Sequence, residues 1–378
     1  MNMVSTIGFK RVATQPLRSM GFLTLANGRT KVDPLVSNHF DELTQASNQY
    51  RNTRLISLGE TGPCGAGLQI PNNNKIFVKL ESDINSHYYR VYPILLRMLM
   101  QQGLTPNEYS LIEVSSGSAG EAFAHMSKLA GFDAHCILPS ELSQTRRNIV
   151  SAKGGVIHLP DPSIDGLGLP GAVNKLKRML AEKTIKGKRL ITINHSQVIE
   201  TMHALAGILF EILPYLSSRS LNKFDVFVGV AGNGSTLYSI GATLKHFGAV
   251  DKIVAIEPFE NPGFYELKYP GRYCAETNLA LPNFSPTNSH GISIPMPGSG
   301  NYGLEFPYLK ASVDTVDEVC LVKNGEWNQT QKILLEKMPM FNVGHSSAAS
   351  LMIALRIAET VHDQNILIVF YDNLTNRY

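Results

Sequence analysis

The chain has 378 residues, 43% hydrophobic and 17% charged, with a formal net charge of +3. That length exceeds a typical single core and suits two domains, and the composition is ordinary for a globular protein. No Lys/Arg run is long enough to make a nucleic-acid or membrane footprint, and apolar runs such as Ile366 to Tyr371 are too short to cross a bilayer.

The first 32 residues carry Lys10, Arg11, Arg18, Arg29 and Lys31 and no acid. This weakly resembles an organelle transit peptide, but Gly and Pro interrupt it and it lacks an amphipathic period. An N-terminal arm over residues 1–50, packing on its own domain or on a partner subunit, and a cytoplasmic location are the expectations. The four cysteines, Cys64, Cys136, Cys274 and Cys320, are widely spaced with no C-x-x-C pair, which argues against zinc and dithiol motifs and for buried free thiols in a reducing compartment.

From Lys75 onward, short apolar runs alternate with helical patterns. Strands are predicted at Lys75–Glu81, Ser110–Ser115, Asp133–Leu138, Gly155–Leu159, Arg189–Ile193, Asp225–Val230, Lys252–Glu257, Val319–Val322 and Ile366–Phe370. Between them, helices are predicted at Tyr89–Gln102, Ala119–Leu129, Leu142–Ala152, Gly171–Glu182, Gln197–Leu213, Ser235–Phe247, Asn328–Lys337 and Ser346–Thr360. Such alternation implies an α/β fold of parallel-type sheets flanked by helices, with ligands at the carboxyl ends of the strands. Pro258 to Tyr308 is rich in Gly, Pro, Asn and Ser and shows little periodicity, as functional loops do.

Three turns carry candidate chemistry. Gly232-Asn233-Gly234-Ser235-Thr236 follows a buried strand and opens a helix, so its N–H groups and hydroxyls suit a phosphate; a plain strand-to-helix turn reads equally well. Ser115-Ser116-Gly117-Ser118-Ala119 is placed the same way and suits a carboxylate, with helix capping by Ser118 as the plainer alternative. In Gly344-His345-Ser346-Ser347, Ser346 reads as an N-cap and His345 as a structural histidine or an acid–base group.

In these turns and in the runs around them, the chain resembles the fold-type II, tryptophan-synthase-β-like enzymes that depend on pyridoxal phosphate, and most closely their cysteine synthase branch. Asn52-Thr53-Arg54-Leu55 is similar to N-T-P-L, and Val78-Lys79-Leu80-Glu81 to A-K-L-E. Ser115 to Gly120 resembles the substrate-carboxylate loop T-S-G-N-T-G, and Leu138-Pro139 through Arg146-Arg147 to Gly154-Gly155 a further family run. Gly232 to Thr236 resembles the phosphate loop G-T-G-G-T, Ile256-Glu257-Pro258 resembles V-E-P, and Asp372 through Arg377-Tyr378 the S-G-E-R-Y ending. Gly344 to Ala348 resembles G-I-S-S-G, which implies that Ser346 faces the pyridine nitrogen.

The departures are as informative. The family's G-S-x-K-D-R reads Asn85-Ser86-His87-Tyr88-Tyr89-Arg90 here, so Tyr88 stands at the lysine that bonds the cofactor aldehyde, and a tyrosine cannot form that imine. Lys79 is no substitute, because it matches the family's own A-K-L-E lysine. Ser118 stands where the family has the asparagine that contacts the cofactor's ring hydroxyl. The resemblance implies a larger cofactor-binding domain, residues 1–91 plus 198–378, a smaller mobile substrate domain, residues 92–197, a ligand cleft between them, and a homodimer. It implies non-covalent pyridoxal phosphate and an amino-acid substrate, undergoing β-elimination or β-replacement, by the usual route or by a lysine-independent one. Tyr88 then either fills space or moves a proton if its pKa is lowered from about 10. Two alternatives stand beside that reading: a non-catalytic binder of pyridoxal phosphate or its amino-acid adduct, and an unrelated nucleotide-binding α/β protein.

Overall fold

The computed structural model describes residues 37–62, 65–115, 117–282 and 300–373. Two sheets organise these residues. The first holds β1 (Leu55–Ser57), β2 (Lys75–Leu80), β8 (Phe224–Val230), β9 (Val250–Pro258), β10 (Glu318–Val322) and β11 (Asn365–Phe370). Their order is β1-β2-β11-β8-β9-β10, parallel throughout except for the short antiparallel edge strand β1. The second holds β3 (Tyr109–Val114), β4 (Asp133–Ile137), β5 (Gly155–His158), β6 (Thr184–Ile185) and β7 (Lys188–Ile191), in the order β5-β4-β3-β7-β6. Only the β6–β7 pair within it is antiparallel.

The central strands read as continuous apolar runs because helices cover both faces. Ile366 to Phe370 and Ile76 to Leu80 are buried residue after residue. Helices α1 (Ser37–Gln49), α2 (Tyr88–Gln101) and α3 (Ser118–Leu129) pack on one another beside them. The α/β architecture of parallel-type sheets and flanking helices is therefore the one expected, and most elements agree with the sequence to within one to three residues.

Four expectations need correction. The single helix expected over Gln197–Leu213 is two, Ile199–Ala206 and Leu209–Ser218, broken at Gly207. By length and mean hydropathy (1.3) Ile199–Ser218 passes for a membrane span, contrary to the reading that every apolar run is too short. Glu211, however, ion-pairs with buried Lys79 inside the fold. The helix expected over Ser235–Phe247 begins with a π-helical turn, Thr236–Gly241, and continues as Ala242–His246. The stretch expected to lack periodicity contains short helices at Gly263–Lys268 and Arg272–Thr277, and another begins at Pro307. The first is started by Glu257, whose carboxylate accepts the Phe264 and Tyr265 N–H groups at 2.8 and 2.7 Å. That bond is non-local in sequence and invisible to a periodicity argument.

Candidate active site

The carboxyl ends of strands from both sheets converge on one cavity of about 430 Å³. This lies within the roughly 300–1,000 Å³ of small-molecule sites. The turn after β3 brings Ser115, Gly117, Ser118 and Ala119 to it; the turn after β8 brings Gly232, Asn233, Ser235 and Thr236; the start of the helix His345–Thr360 brings His345 and Ser346. Tyr88 lines the same space. Ser116 lies outside the described residues. Gly234 belongs to the second turn without lining the cavity.

Each turn has its own hydrogen-bonding logic. Ser115 Oγ accepts the Gly117 and Gly120 N–H groups at 3.1 and 2.6 Å. So Ser115, not Ser118, caps this helix; Ser118 is its first residue, and its hydroxyl donates to Asp372 Oδ2 at 3.1 Å. In the glycine-rich turn, Asn233 Oδ1 accepts the Ser235 N–H at 3.0 Å. Gly234 has φ +89°, and a Cβ there would overlap the Leu309 backbone nitrogen. The glycine is demanded by the close approach of residues 308–309 as well as by the turn. At the third turn Gly344, not Ser346, holds the N-cap position, and its N–H is held by Asp372 Oδ1 at 3.2 Å.

Tyr88 is the first residue of α2. Its hydroxyl lies within hydrogen-bonding reach of the Asn233 and Ser235 side chains, so the phenol points at the glycine-rich turn. Burial pushes its pKa up to about 12, and the hydrogen bonds to Asn233 and Ser235 only partly oppose this. The lowered pKa that a proton-moving phenol would need is not what this environment gives. Lys79 is held elsewhere, 1% exposed, with Nζ on Thr53 O and on Glu211 Oε2. Among the described residues lining the cavity, one is a lysine, Lys177, and it is exposed.

Several lining residues carried no role in the sequence reading: Glu113, Arg146, His195, Ser196, Tyr371 and Asp372. Asn194-His195-Ser196 is a polar run just past the carboxyl end of β7, and that position was the signal that could have found it. Glu113 hides inside an apolar strand pattern.

The donor set suits a phosphorylated aromatic aldehyde. Hydroxyls, a glycine turn and a second capped turn line it, and the His87 ring lies tilted beside Tyr88 at 4.2 Å between centroids. His87 Nδ1, buried there, has no hydrogen-bond partner among the described residues. Pyridoxal phosphate fits these residues.

Comparisons with known proteins agree. The family model described as pyridoxal-phosphate dependent enzyme matches residues 47–372. Cysteine synthase B of Campylobacter jejuni is 25% identical over 264 residues, 70% of this chain and 76% of that protein. Cysteine synthase A of Escherichia coli is 24% identical over 305 residues, 79% of this chain and 85% of that protein. Among solved structures, a hydrogen sulfide-producing enzyme from Fusobacterium nucleatum superposes with a TM-score of 0.69 at 19% identity, covering 88% of this chain and 99% of that one. An O-acetylserine-dependent cystathionine β-synthase from Helicobacter pylori gives 0.67 at 20% identity, covering 88% and 95%. With a match that spans the strands, the turns and the cavity, this chain belongs to the pyridoxal-phosphate dependent enzyme family, in its fold-type II architecture.

Proposed function

We propose that the protein binds pyridoxal phosphate without a lysine bond and acts on a free amino acid by β-elimination or β-replacement, as a homodimer. The observation that carries this reading is the meeting of the three turns and Tyr88 in one cavity. Bound there, pyridoxal phosphate supplies an electron-withdrawing ring that acidifies the α-hydrogen of an amino acid and loosens its β-substituent. The chain's own residues do the rest. Ser235, Thr236 and the turn glycines hold the phosphate by hydroxyls, backbone N–H groups and the partial positive charge of a helix start. Ser346 would face the ring nitrogen and Ser118 the ring hydroxyl. The turn from Ser115 to Ala119 receives the substrate carboxylate. Tyr88 closes the space of the missing anchor. The cysteine synthases and the sulfide-producing enzyme named above point to a serine- or cysteine-derived substrate.

The test is an absorbance titration of the purified protein with pyridoxal phosphate, followed by addition of O-acetylserine, L-serine and L-cysteine. Saturable cofactor binding, a spectral change specific to one amino acid, and no protein adduct after borohydride reduction are expected. Absence of cofactor binding, with nucleotide binding in its place, would sink the reading. Non-catalytic binding of the cofactor or its amino-acid adduct is a second reading, favoured by the buried, high-pKa phenol at Tyr88. It predicts the spectral change without turnover.

A further inference from the structure

With Tyr88 in the anchor position, the α-hydrogen of a bound amino acid needs another acceptor. Three histidines line the described cavity: His87, His195 and His345. Burial pushes His87 down to about 4, and burial and then Arg146 push His345 down, so neither is a good base. His195 differs by its partners. Its Nδ1 lies 3.3 Å from Glu113 Oε1 and 3.0 Å from the Tyr92 hydroxyl, and its Nε2 lies 3.3 Å from Ser196 Oγ.

The direction of these hydrogen bonds follows from one amide and one carboxylate. Asn233 Oδ1 accepts the Ser235 N–H, which fixes the orientation of that side chain. Its Nδ2 therefore faces Ser196 Oγ, at 3.2 Å, and an amide NH2 group can only donate. Ser196 accepts that bond and keeps its one hydrogen to offer to His195 Nε2. The Glu113 carboxylate oxygen can only accept, so a neutral His195 bonded to it carries its proton on Nδ1, which leaves Nε2 to accept from the Ser196 hydroxyl. The Glu113 carboxylate is itself held by the His195 backbone N–H at 3.0 Å and the Thr192 hydroxyl at 3.4 Å. Glu113 and His195 are 2% and 5% exposed, while Ser196 is half-buried on the cavity wall. The arrangement is a hydroxyl–imidazole–carboxylate chain with its hydroxyl end at the ligand space.

We propose that Ser196, His195 and Glu113 are the proton relay of this cavity and take the α-hydrogen of the bound amino acid. The proposal rests on the cofactor reading above. In the forward step the α C–H bond breaks and its electron pair stays with the substrate. The proton arrives at Ser196 Oγ as the serine's own proton moves to His195 Nε2. The imidazolium so formed keeps its Nδ1–H toward Glu113, which stabilises the charge. The reverse sequence returns a proton to the product. The titratable groups facing His195 are Glu113 from β3, Tyr88 and Tyr92 from α2 at 5.2 and 5.7 Å between ring centroids, and His87 just before α2.

Two measurements test it. In deuterium oxide with saturating pyridoxal phosphate, loss of the α-proton NMR signal of L-serine is followed against pH. The wild type should show an acid limb. Ser196→Ala should exchange about 100-fold more slowly, Glu113→Gln should slow exchange and shift the limb, and His195→Gln should abolish the limb. A merely structural role would lower the rate without moving the limb. On the ligand-free protein, nitrogen-15 NMR should find His195 protonated on Nδ1 and bare at Nε2. Undiminished exchange with an unchanged pH profile in both Ser196→Ala and His195→Gln overturns the relay, and so does an Nε2–H tautomer. Failure of the wild type to bind pyridoxal phosphate instead removes the cofactor reading, and the ligand-free tautomer still decides the relay's polarity.

Discussion

At residue scale, Tyr88 concentrates what could and could not be read in advance. The order of the motifs places it at the lysine position, and the fold puts it in the cavity wall. Where its hydroxyl points was not legible, because that depends on Asn233 and Ser235, which the chain brings in from a distant strand. Lysine at that position would carry a flexible amine into the same space. Tyr88→Lys is therefore expected to give a borohydride-stable pyridoxal phosphate adduct on residue 88, seen by mass spectrometry, while the wild type gives none. A Tyr88→Lys protein that binds the cofactor and yields no adduct would show that residue 88 is not at the aldehyde. Full turnover need not follow, since misplacement of a reacting group by about 1 Å can cost about a hundredfold.

At the scale of elements, strands and helices with strong periodicity were legible almost to the residue; Asn328–Lys337 has the bounds expected of it. The failures have local causes. Gly207 breaks an apolar helix whose period runs on past it, and Glu257 starts a helix from the end of a strand. The glycine-rich turn shows how a correct location can carry an incomplete reason. Gly234 looked like a residue kept free for a ligand, yet its Cβ position is filled by the Leu309 backbone. Gly234→Asp is thus a poor probe of ligand binding. It and Gly234→Ala are expected to destabilise the fold by roughly 2 kcal/mol or more, from overlap with backbone and from the positive φ, read as a lower urea midpoint. Ser235→Ala, which adds no atom but removes a buried hydroxyl that faces Tyr88, should cost only about 1 kcal/mol in the same measurement. It should also weaken pyridoxal phosphate binding about tenfold, the worth of one hydrogen bond to a charged group. Unchanged cofactor affinity in a folded Ser235→Ala protein would remove the phosphate from this turn.

Across the whole molecule, a buried ionic network ties the first sheet to its helices. Arg90 Nε meets Glu81 Oε2 at 2.6 Å, its two terminal nitrogens reach Glu211, and Glu211 also holds Lys79. Thr53 joins through its hydroxyl, which donates to Glu81 Oε1 at 2.8 Å. Burial alone would raise the Glu211 pKa; the Arg90 hydrogen bond and charge, then Lys79, outweigh it and bring it to about 2. A folded pKa below the unfolded one means that stability from Glu211 is complete above the unfolded value and lost as pH falls through the folded one. Between about pH 5 and pH 2 the wild type should therefore lose more of its urea midpoint than Glu211→Gln does. Equal slopes for the two proteins would show that the network contributes nothing through this carboxylate.

The topology of that sheet also bears on how the protein is made. Its second strand, Lys75–Leu80, pairs in register with Asn365–Phe370, and the residues that follow, Tyr371 and Asp372, line the cavity. During synthesis the early strand therefore waits, unpaired on that side, until nearly all of the described chain has left the ribosome. The second sheet, built wholly from residues 109–191, can close long before. Strands that wait for distant partners are slow to pair and prone to aggregate. A nascent chain halted after residue 364 should thus protect residues 109–191 from protease while Lys75–Leu80 stays cleavable, and chaperone dependence should fall on that last, central strand.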